Sequence, residues 1–142
     1  MPATTLTLNN ILNYNFGVRA YPYSLPDTIM YFGLSTTLVG ATGLATVTEP
    51  ATAAGYARYD YNGTNAPETW TTSTEGTLSN VNSFSFSESS SAWGTILSIF
   101  IADAYSRNTG HVLWYQTLYP SLYVPTNFVV TFPAHSIVAS MT

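Results

Sequence analysis

The stretch TILSIFIADAYSRNTGHVLWYQTL, residues 95–118, decides the fold of this chain. Its two ends, residues 95–102 and 111–118, are apolar on both faces, which is typical of central strands or of strands that a neighbouring subunit covers. The polar residues between them predict a hairpin loop, in which Asn108 and Gly110 can adopt positive φ angles. We therefore predict a hairpin of two antiparallel strands here.

Short segments with strand character continue on both sides of this hairpin. In SFSFS, residues 83–87, the two phenylalanines share one face and the three serines share the other, as in a half-buried strand. The remaining predicted strands are 29–35, 56–62, 127–132 and 135–141. Short strands separated by turn residues predict a mainly β protein, specifically an antiparallel β-sandwich of the jelly-roll type.

The N-terminal segment has a different pattern. Apolar residues spaced for one side of a helix predict a short helical arm over about residues 4–16, with Gly17 able to close it. These residues are Leu8, Ile11, Leu12 and Phe16. At 142 residues the chain is long enough for one domain with an ordinary core, and we predict a single domain over 1–142.

Charged residues are scarce. They make up 7% of the chain, the formal net charge is −4, and Arg19, Arg58 and Arg107 are the only strong bases. Three scattered arginines argue against binding nucleic acid, which needs clustered bases. We expect no signal peptide at the start of the sequence, and the longest apolar run is too short to cross a membrane. A neutral surface does little to keep copies apart, so we expect the protein to pack against others.

Catalytic and metal-binding patterns are absent from the sequence. There is no cysteine, and no two carboxylates have the spacing that would place them side by side on a strand. His111 and His135 have no acidic residue close by in sequence, and both are predicted to bond to backbone or water. Asp103 is predicted to accept amides of its turn and to be neutralised by Arg107. We predict no enzyme activity, no catalytic residues, no cofactor and no metal site.

Several aromatic residues are candidates for contacts with other subunits, because Tyr and Trp are favoured at interfaces as well as in cores. Core packing is the default for Trp93 and Trp114. For the tyrosines and the tryptophan in Pro- or Thr-rich connections, burial and intersubunit contact remain equal alternatives. The residues predicted as assembly contacts are Tyr21, Tyr23, Tyr59, Tyr61 and Trp70.

An ordered series of short motifs runs along most of the chain. It consists of IMYFGLSTT (29–37), TEP (48–50), GYAR (55–58), LSNV (78–81), SAWGT (91–95) and ADA (102–104). In order and spacing this series resembles a family of small virion structural proteins of tailed bacteriophages, whose members are described as tail-fibre-like or decoration proteins. The resemblance implies a location in the virion and a role in assembly.

The composition and the resemblance lead to three hypotheses. The main hypothesis is a capsid decoration or cement protein that stabilises contacts between coat subunits. The alternative is a tail-associated fibre or adhesion module that binds host surface polysaccharide. An enzyme acting on cell-wall sugar would need Glu68, Glu75 or Glu88, and nothing in the sequence favours it. The expected partners are other virion proteins, either coat or tail proteins, and further copies of the chain, with a trimer as the first candidate; no nucleic acid or membrane partner is expected.

Overall fold

The computed structural model describes residues 4–5, 30–61, 71 and 77–140. These residues form eight strands and two short 3-10 helices, so the predicted mainly β class is confirmed. The strands are β1 (Tyr31–Ser35), β2 (Tyr59–Asp60), β3 (Thr77–Ser79), β4 (Phe84–Ser85), β5 (Gly94–Ala102), β6 (Val112–Val124), β7 (Thr131–Phe132) and β8 (Val138–Ser140). The 3-10 helices are η1 (Gly43–Thr46) and η2 (Thr52–Ala54).

The largest sheet has four antiparallel strands in the order β2-β1-β5-β6. The predicted hairpin is confirmed: β5 and β6 are neighbours, and Asn108 and Gly110 in the loop between them have φ angles of 58° and 74°. As predicted, β5 is a central strand. β6 is not central, because β5 is its only neighbour among the described strands.

Both faces of β5 are buried, which explains its continuous apolar sequence. Ile99 and Ile101 pack into a large core with Phe32, Tyr56 and other aromatic residues. The alternate residues of β5, Phe100 and Ala102, belong to a smaller cluster on the other face. The connection that contains η1 packs against this second cluster, so the sheet has cover on both sides.

A glycine in the middle of β1 has a packing reason. Gly33 pairs with Phe100 across the sheet, and the Phe100 ring lies over the glycine. A Cβ atom at position 33 would come closer to the ring than real Cβ atoms do. The motif GLS therefore places its glycine where only hydrogen fits under the aromatic ring.

Two small antiparallel sheets, β3–β8 and β4–β7, complete the described strands. Phe84 and Phe86 are buried while the serines between and beside them are exposed, which confirms the predicted alternation. The Phe84 ring stacks on Phe32, with ring centroids 4.7 Å apart, and on Phe132 at 5.3 Å. Aromatic stacking thus joins β4–β7 to the larger sheet.

Several finer predictions differ from the structure. The described strands form one four-stranded and two two-stranded sheets, and this arrangement does not confirm a sandwich or jelly roll. The helical arm predicted over about 4–16 is not confirmed: apart from Thr4 and Thr5 it lies outside the described residues, which contain no helix of seven residues or more. The single domain over 1–142 stays a prediction.

Two strands are shorter in the structure than the sequence predicted. Of residues 127–132 only Thr131–Phe132 form a strand, since the amides of Asn127 and Phe128 donate to Ser89. Of residues 56–61, which are the described part of the predicted strand 56–62, only Tyr59–Asp60 form a strand. The residues before that strand take part in a buried polar cluster.

Candidate functional site

A buried ion pair lies beside the hairpin loop, residues 103–110. Arg58 donates to Glu49 through Nε to Oε1 and through Nη2 to Oε2, and both distances are 2.9 Å. Both side chains are completely buried. This two-pronged geometry is the strongest arrangement that an arginine and a carboxylate can form.

The ion pair fixes the hairpin loop by bonding to its backbone. Arg58 Nη1 donates to the carbonyl oxygens of Ala104 and Thr109, the latter at 3.1 Å. The amide of Asn108 donates to Glu49 Oε2 at 2.8 Å. The ion pair therefore bonds the backbone of the hairpin loop to the interior at three points along its length.

Tyr56 completes the cluster. Its hydroxyl donates to Glu49 Oε1 at 2.9 Å and accepts the Leu34 amide of β1 at 2.8 Å. Burial raises the pKa of the Tyr56 hydroxyl well above its usual range, and the Glu49 carboxylate raises it further. The hydroxyl thus keeps its proton and remains a donor to Glu49.

Phe100 connects this cluster to the sheet. The Arg58 guanidinium carbon lies 5.3 Å from the centre of the Phe100 ring, within the range of a cation–π contact. The same ring covers Gly33. Arg58 is thus held by a carboxylate, two carbonyl oxygens and an aromatic face, which together compensate for the burial of its charge.

The hairpin loop is closed by a second pair. Asp103 accepts the His111 amide through Oδ1 at 2.6 Å, and its Oδ2 lies 2.9 Å from His111 Nδ1. The prediction that Arg107 neutralises Asp103 is wrong, as is the prediction that His111 lacks an acidic partner. Residue 103 follows Ala102 and residue 111 precedes Val112, and because these strand ends are paired the hairpin itself brings the two residues together.

Arg107 instead bonds to the backbone beside the buried pair. Its Nε and Nη2 donate to the Glu49 carbonyl oxygen at 3.2 and 2.7 Å. A guanidinium has five N–H donors, and no described residue accepts a hydrogen bond from Nη1 of Arg107. Of the two described arginines, Arg58 is buried and Arg107 is partly exposed, so Arg107 can present a positive charge to a ligand.

Two hollows meet at Arg107. One has a volume of about 490 Å³ and is lined by Leu44, Val47 and Thr48. The other, of about 380 Å³, is lined by Thr52, Ser106 and Tyr105. Tyr105 is 54% exposed, and its ring centroid lies 5.5 Å from that of Tyr31. We call Tyr105, Arg107 and these two hollows the loop surface.

The chemistry of the loop surface is that of binding. A tyrosine ring offers an apolar face and a hydroxyl, an arginine offers directed donors, and threonine and serine hydroxyls lie beside them. The described residues contain no group of three His, Asp or Glu side chains that could hold a metal ion. No helix in the described part of the chain is both long and apolar enough to span a membrane.

Of the residues predicted as assembly contacts, the structure describes Tyr59 and Tyr61, and neither lines the two hollows. Tyr21, Tyr23 and Trp70 lie outside the described residues. Tyr61 is fully buried and its ring makes an edge contact with Phe32, while Tyr59 is partly exposed and stacks on Phe84. The packing of both residues against the core is sufficient to explain their aromatic character. Their role in assembly stays a prediction.

The motifs contain the residues that sequence reasoning missed. Glu49 is the centre of TEP, Tyr56 and Arg58 belong to GYAR, and Ala104 ends ADA. Three segments of the motif series therefore converge on one buried cluster. Because the chain has few charged residues, the presence of Glu49 and Arg58 in neighbouring motifs could have indicated a buried ion pair.

Two other motifs also supply buried hydrogen-bonding residues. Asn80 of LSNV accepts the Ile137 amide at 2.9 Å and donates to the Asn82 and Pro133 carbonyl oxygens. Trp93 of SAWGT donates from its indole nitrogen to the Ala54 carbonyl oxygen at 2.8 Å. Each of these five motifs thus supplies at least one residue that bonds to a segment distant in the sequence.

Comparison with known proteins gives one family. The family model described as podophage GP4 fiber I protein gp80 matches residues 2–140 of the chain. No curated protein matches the chain.

Proposed function

We propose that this chain, which belongs to the podophage GP4 fiber I protein gp80 family, is a fibre subunit that contacts host surface polysaccharide through its loop surface. Its family locates the protein in the virion as a structural component. The predicted capsid decoration role is not confirmed, and the predicted alternative of a tail-fibre module fits the family better. The main support for the sugar contact is that the exposed Tyr105 lies near Arg107, at which the two hollows meet.

The chemistry of the loop surface suits a sugar. Aromatic rings pack against the apolar faces of sugars, and Tyr105 offers such a face beside the 380 Å³ hollow. The free N–H groups of Arg107 can donate to sugar hydroxyls or, in a two-pronged manner, to the carboxylate of an acidic sugar. Both hollows meet at Arg107, so neighbouring sugar units of one chain can bind on either side of it.

The buried ion pair supports binding by holding the loop in one conformation. Glu49 bonds to Asn108 through its carboxylate and to Arg107 through its carbonyl oxygen. Arg58 bonds to Ala104 and Thr109 on either side of the exposed residues. A loop fixed before binding loses little conformational freedom when the ligand arrives, which favours affinity.

Assembly with other virion proteins follows from the fibre family. We keep Tyr21, Tyr23, Tyr59, Tyr61 and Trp70 as proposed contacts, and the homo-oligomer, with a trimer as first candidate, as a proposed arrangement. A surface with few charges lets such contacts form without the desolvation of ionic groups.

The sugar contact is tested on an array of bacterial surface polysaccharides, followed by titration with the best-binding one. Tyr105→Ala and Arg107→Lys should each weaken binding by about tenfold or more, because they remove the ring and the fork of donors. Tyr123→Ala is the matched control. Tyr123 is 60% exposed and Tyr105 is 54% exposed, but Tyr123 lies near the other end of the β5–β6 hairpin. Equal binding by Tyr105→Ala, Tyr123→Ala and the unaltered chain would refute the assignment.

The fibre role is tested by counting. A fibre subunit should be present in purified particles at a small fraction of the coat protein's copy number, whereas a decoration protein should approach it. Quantitative mass spectrometry of intact particles measures this ratio directly. A ratio near one would contradict the fibre role whatever the sugar array shows.

A further inference from the structure

The guanidinium of Arg107 has one edge that faces the backbone and one edge that is open. Its Nε and Nη2 both donate to the Glu49 carbonyl oxygen, at 3.2 and 2.7 Å, so the edge formed by these two nitrogens is occupied. The other edge carries one N–H of Nη1 and one of Nη2, which point in parallel. No described residue accepts a hydrogen bond from Nη1. The open edge therefore offers two donors at the spacing of the two oxygens of a carboxylate.

The positive charge of Arg107 has no carboxylate partner among the described residues. Glu49 bonds to Arg107 only through its backbone, because both oxygens of its carboxylate are bonded elsewhere and its charge is neutralised by Arg58. The other described acids are Asp60, Glu88 and Asp103. None of these acids lines either hollow of the loop surface. The residues around the two hollows thus leave one positive charge for a ligand to neutralise.

The surroundings of Arg107 suit an anionic group. The hollow of about 490 Å³ has apolar walls at Leu44 and Val47. A charge–charge contact becomes stronger where a ligand displaces water from apolar surroundings. Thr48 and Asn108 line the same hollow, and their side chains can donate to carboxylate oxygens alongside Arg107. A carboxylate at this hollow can therefore be bound by several donors at once.

From these observations we propose that the polysaccharide at the loop surface is acidic, and that the open edge of Arg107 binds the carboxylate of one of its sugar units. This inference rests on the proposed sugar contact and names the class of polysaccharide. The Tyr105 ring packs against a neighbouring sugar unit, a contact that does not depend on charge. Because the chain has a formal net charge of −4, long-range attraction does not hold a polyanion, and its binding depends on the local contact at Arg107.

The test compares each acidic polysaccharide with its own carboxyl-reduced form, in which the carboxylates are converted to alcohols and the rest of the polymer is unchanged. The full-length protein is titrated by calorimetry with polymers that contain uronic acid units, with their reduced forms, and with polymers that carry phosphate groups but no carboxylate. The acidic form should bind about tenfold to a hundredfold more tightly than the reduced form, as expected for paired hydrogen bonds to a charged group.

Arg107→Gln tests whether the arginine causes this preference. The two forms should bind to this variant within about threefold of each other, because glutamine has neither the charge nor the paired donors. Tyr105→Ala is the matched control, since it should weaken both forms by the same factor and leave their ratio unchanged. Arg107→Lys is a second variant in case Arg107→Gln does not fold, and it should lower the ratio by at least about threefold because it keeps the charge without the paired donors.

Failure of this inference is distinguishable from failure of the proposed function. Equal binding of the acidic and reduced forms, or tighter binding of the phosphate polymers, overturns the inference and leaves the sugar contact intact. A ratio that is unchanged in a folded Arg107→Gln or Arg107→Lys variant also overturns it. Binding of no polysaccharide at all overturns the proposed sugar contact, and this inference with it.

Discussion

Glu49→Gln is the substitution that tests the buried cluster most strictly, because glutamine has nearly the shape of glutamate but no charge. Glu49 accepts four hydrogen bonds, from Tyr56, from two nitrogens of Arg58 and from the Asn108 amide. With an amide group in place of Oε2, two of these donors face another donor. Arg58 then keeps its full charge in a site where its side chain is completely buried.

The expected loss follows from this geometry. Removing one partner of a buried ion pair costs about 3–5 kcal/mol, chiefly because the remaining charge is left without compensation. A domain of this kind has a free energy of unfolding of about 5–15 kcal/mol, so the variant should lose a large part of its stability. With a urea dependence of about 1–3 kcal/mol/M, the unfolding midpoint should fall by about 2 M.

The assay is urea unfolding followed by tryptophan fluorescence. Glu88→Gln is the matched control, because Glu88 is exposed and its substitution should change the free energy of unfolding by less than about 0.5 kcal/mol. A loss below about 1 kcal/mol for Glu49→Gln would refute the buried pair as a source of stability. A loss of the same size in both variants would show a general effect of removing negative charge.

Three further predictions concern the same network and its neighbours. Because the folded-state pKa of Tyr56 is raised above the ordinary 10.0, the folded protein holds this proton more tightly than the unfolded chain. The contribution of Tyr56 to stability should therefore be fully present below about pH 10 and be lost as the pH rises above it, so the urea midpoint of Tyr56→Phe should fall less than that of the unaltered chain above pH 10. Gly110→Ala should lower the free energy of unfolding by about 1–3 kcal/mol, because φ is +74° at this position and the new Cβ would collide with Asp103 and Ala104. Thermal unfolding measures this loss, and the control Ala92→Gly, at an exposed position, should lower the free energy of unfolding by less than about 1 kcal/mol. Asn80→Ala should lower the free energy of unfolding, measured in urea, by about 2–4 kcal/mol, because it leaves the buried Ile137 amide and two carbonyl oxygens without their partner. A loss of less than about 1 kcal/mol would contradict the stabilising role of these hydrogen bonds.

The parts of the fold that the sequence predicted are those set by local pattern. The alternation in SFSFS is a property of five adjacent residues, and the structure buries Phe84 and Phe86 as that alternation requires. The β5–β6 hairpin was predicted because its loop carries Asn108 and Gly110 at the positions that adopt positive φ. Such signals depend on backbone geometry and do not require knowledge of distant contacts.

The buried cluster could not be predicted in the same way. Glu49 and Asn108 are separated by 59 residues and meet only because the hairpin loop folds back over the connection between β1 and β2. Local spacing therefore contains no sign of the bond. Tyr56 and Arg58 were predicted to lie in a strand, and nothing in their local pattern indicated that their side chains bond to Glu49.

The position of β6 in the strand order also could not be predicted from the sequence. A strand that is apolar on both faces looks the same whether other strands of its own chain or a neighbouring subunit cover it. Among the described strands β6 lies at the edge of its sheet, and residues on its two faces pack against the two core clusters of the same chain. Ordinary pattern analysis cannot distinguish these cases because both bury the same side chains.

A cryo-electron microscopy map of the intact particle, with this chain fitted into it, tests the central claim most directly. We predict density for the chain on the tail fibres, with the hairpin loop 103–110 and its Tyr105 and Arg107 side chains facing solvent. Density on the capsid lattice, or a loop covered by another virion protein, would contradict the account.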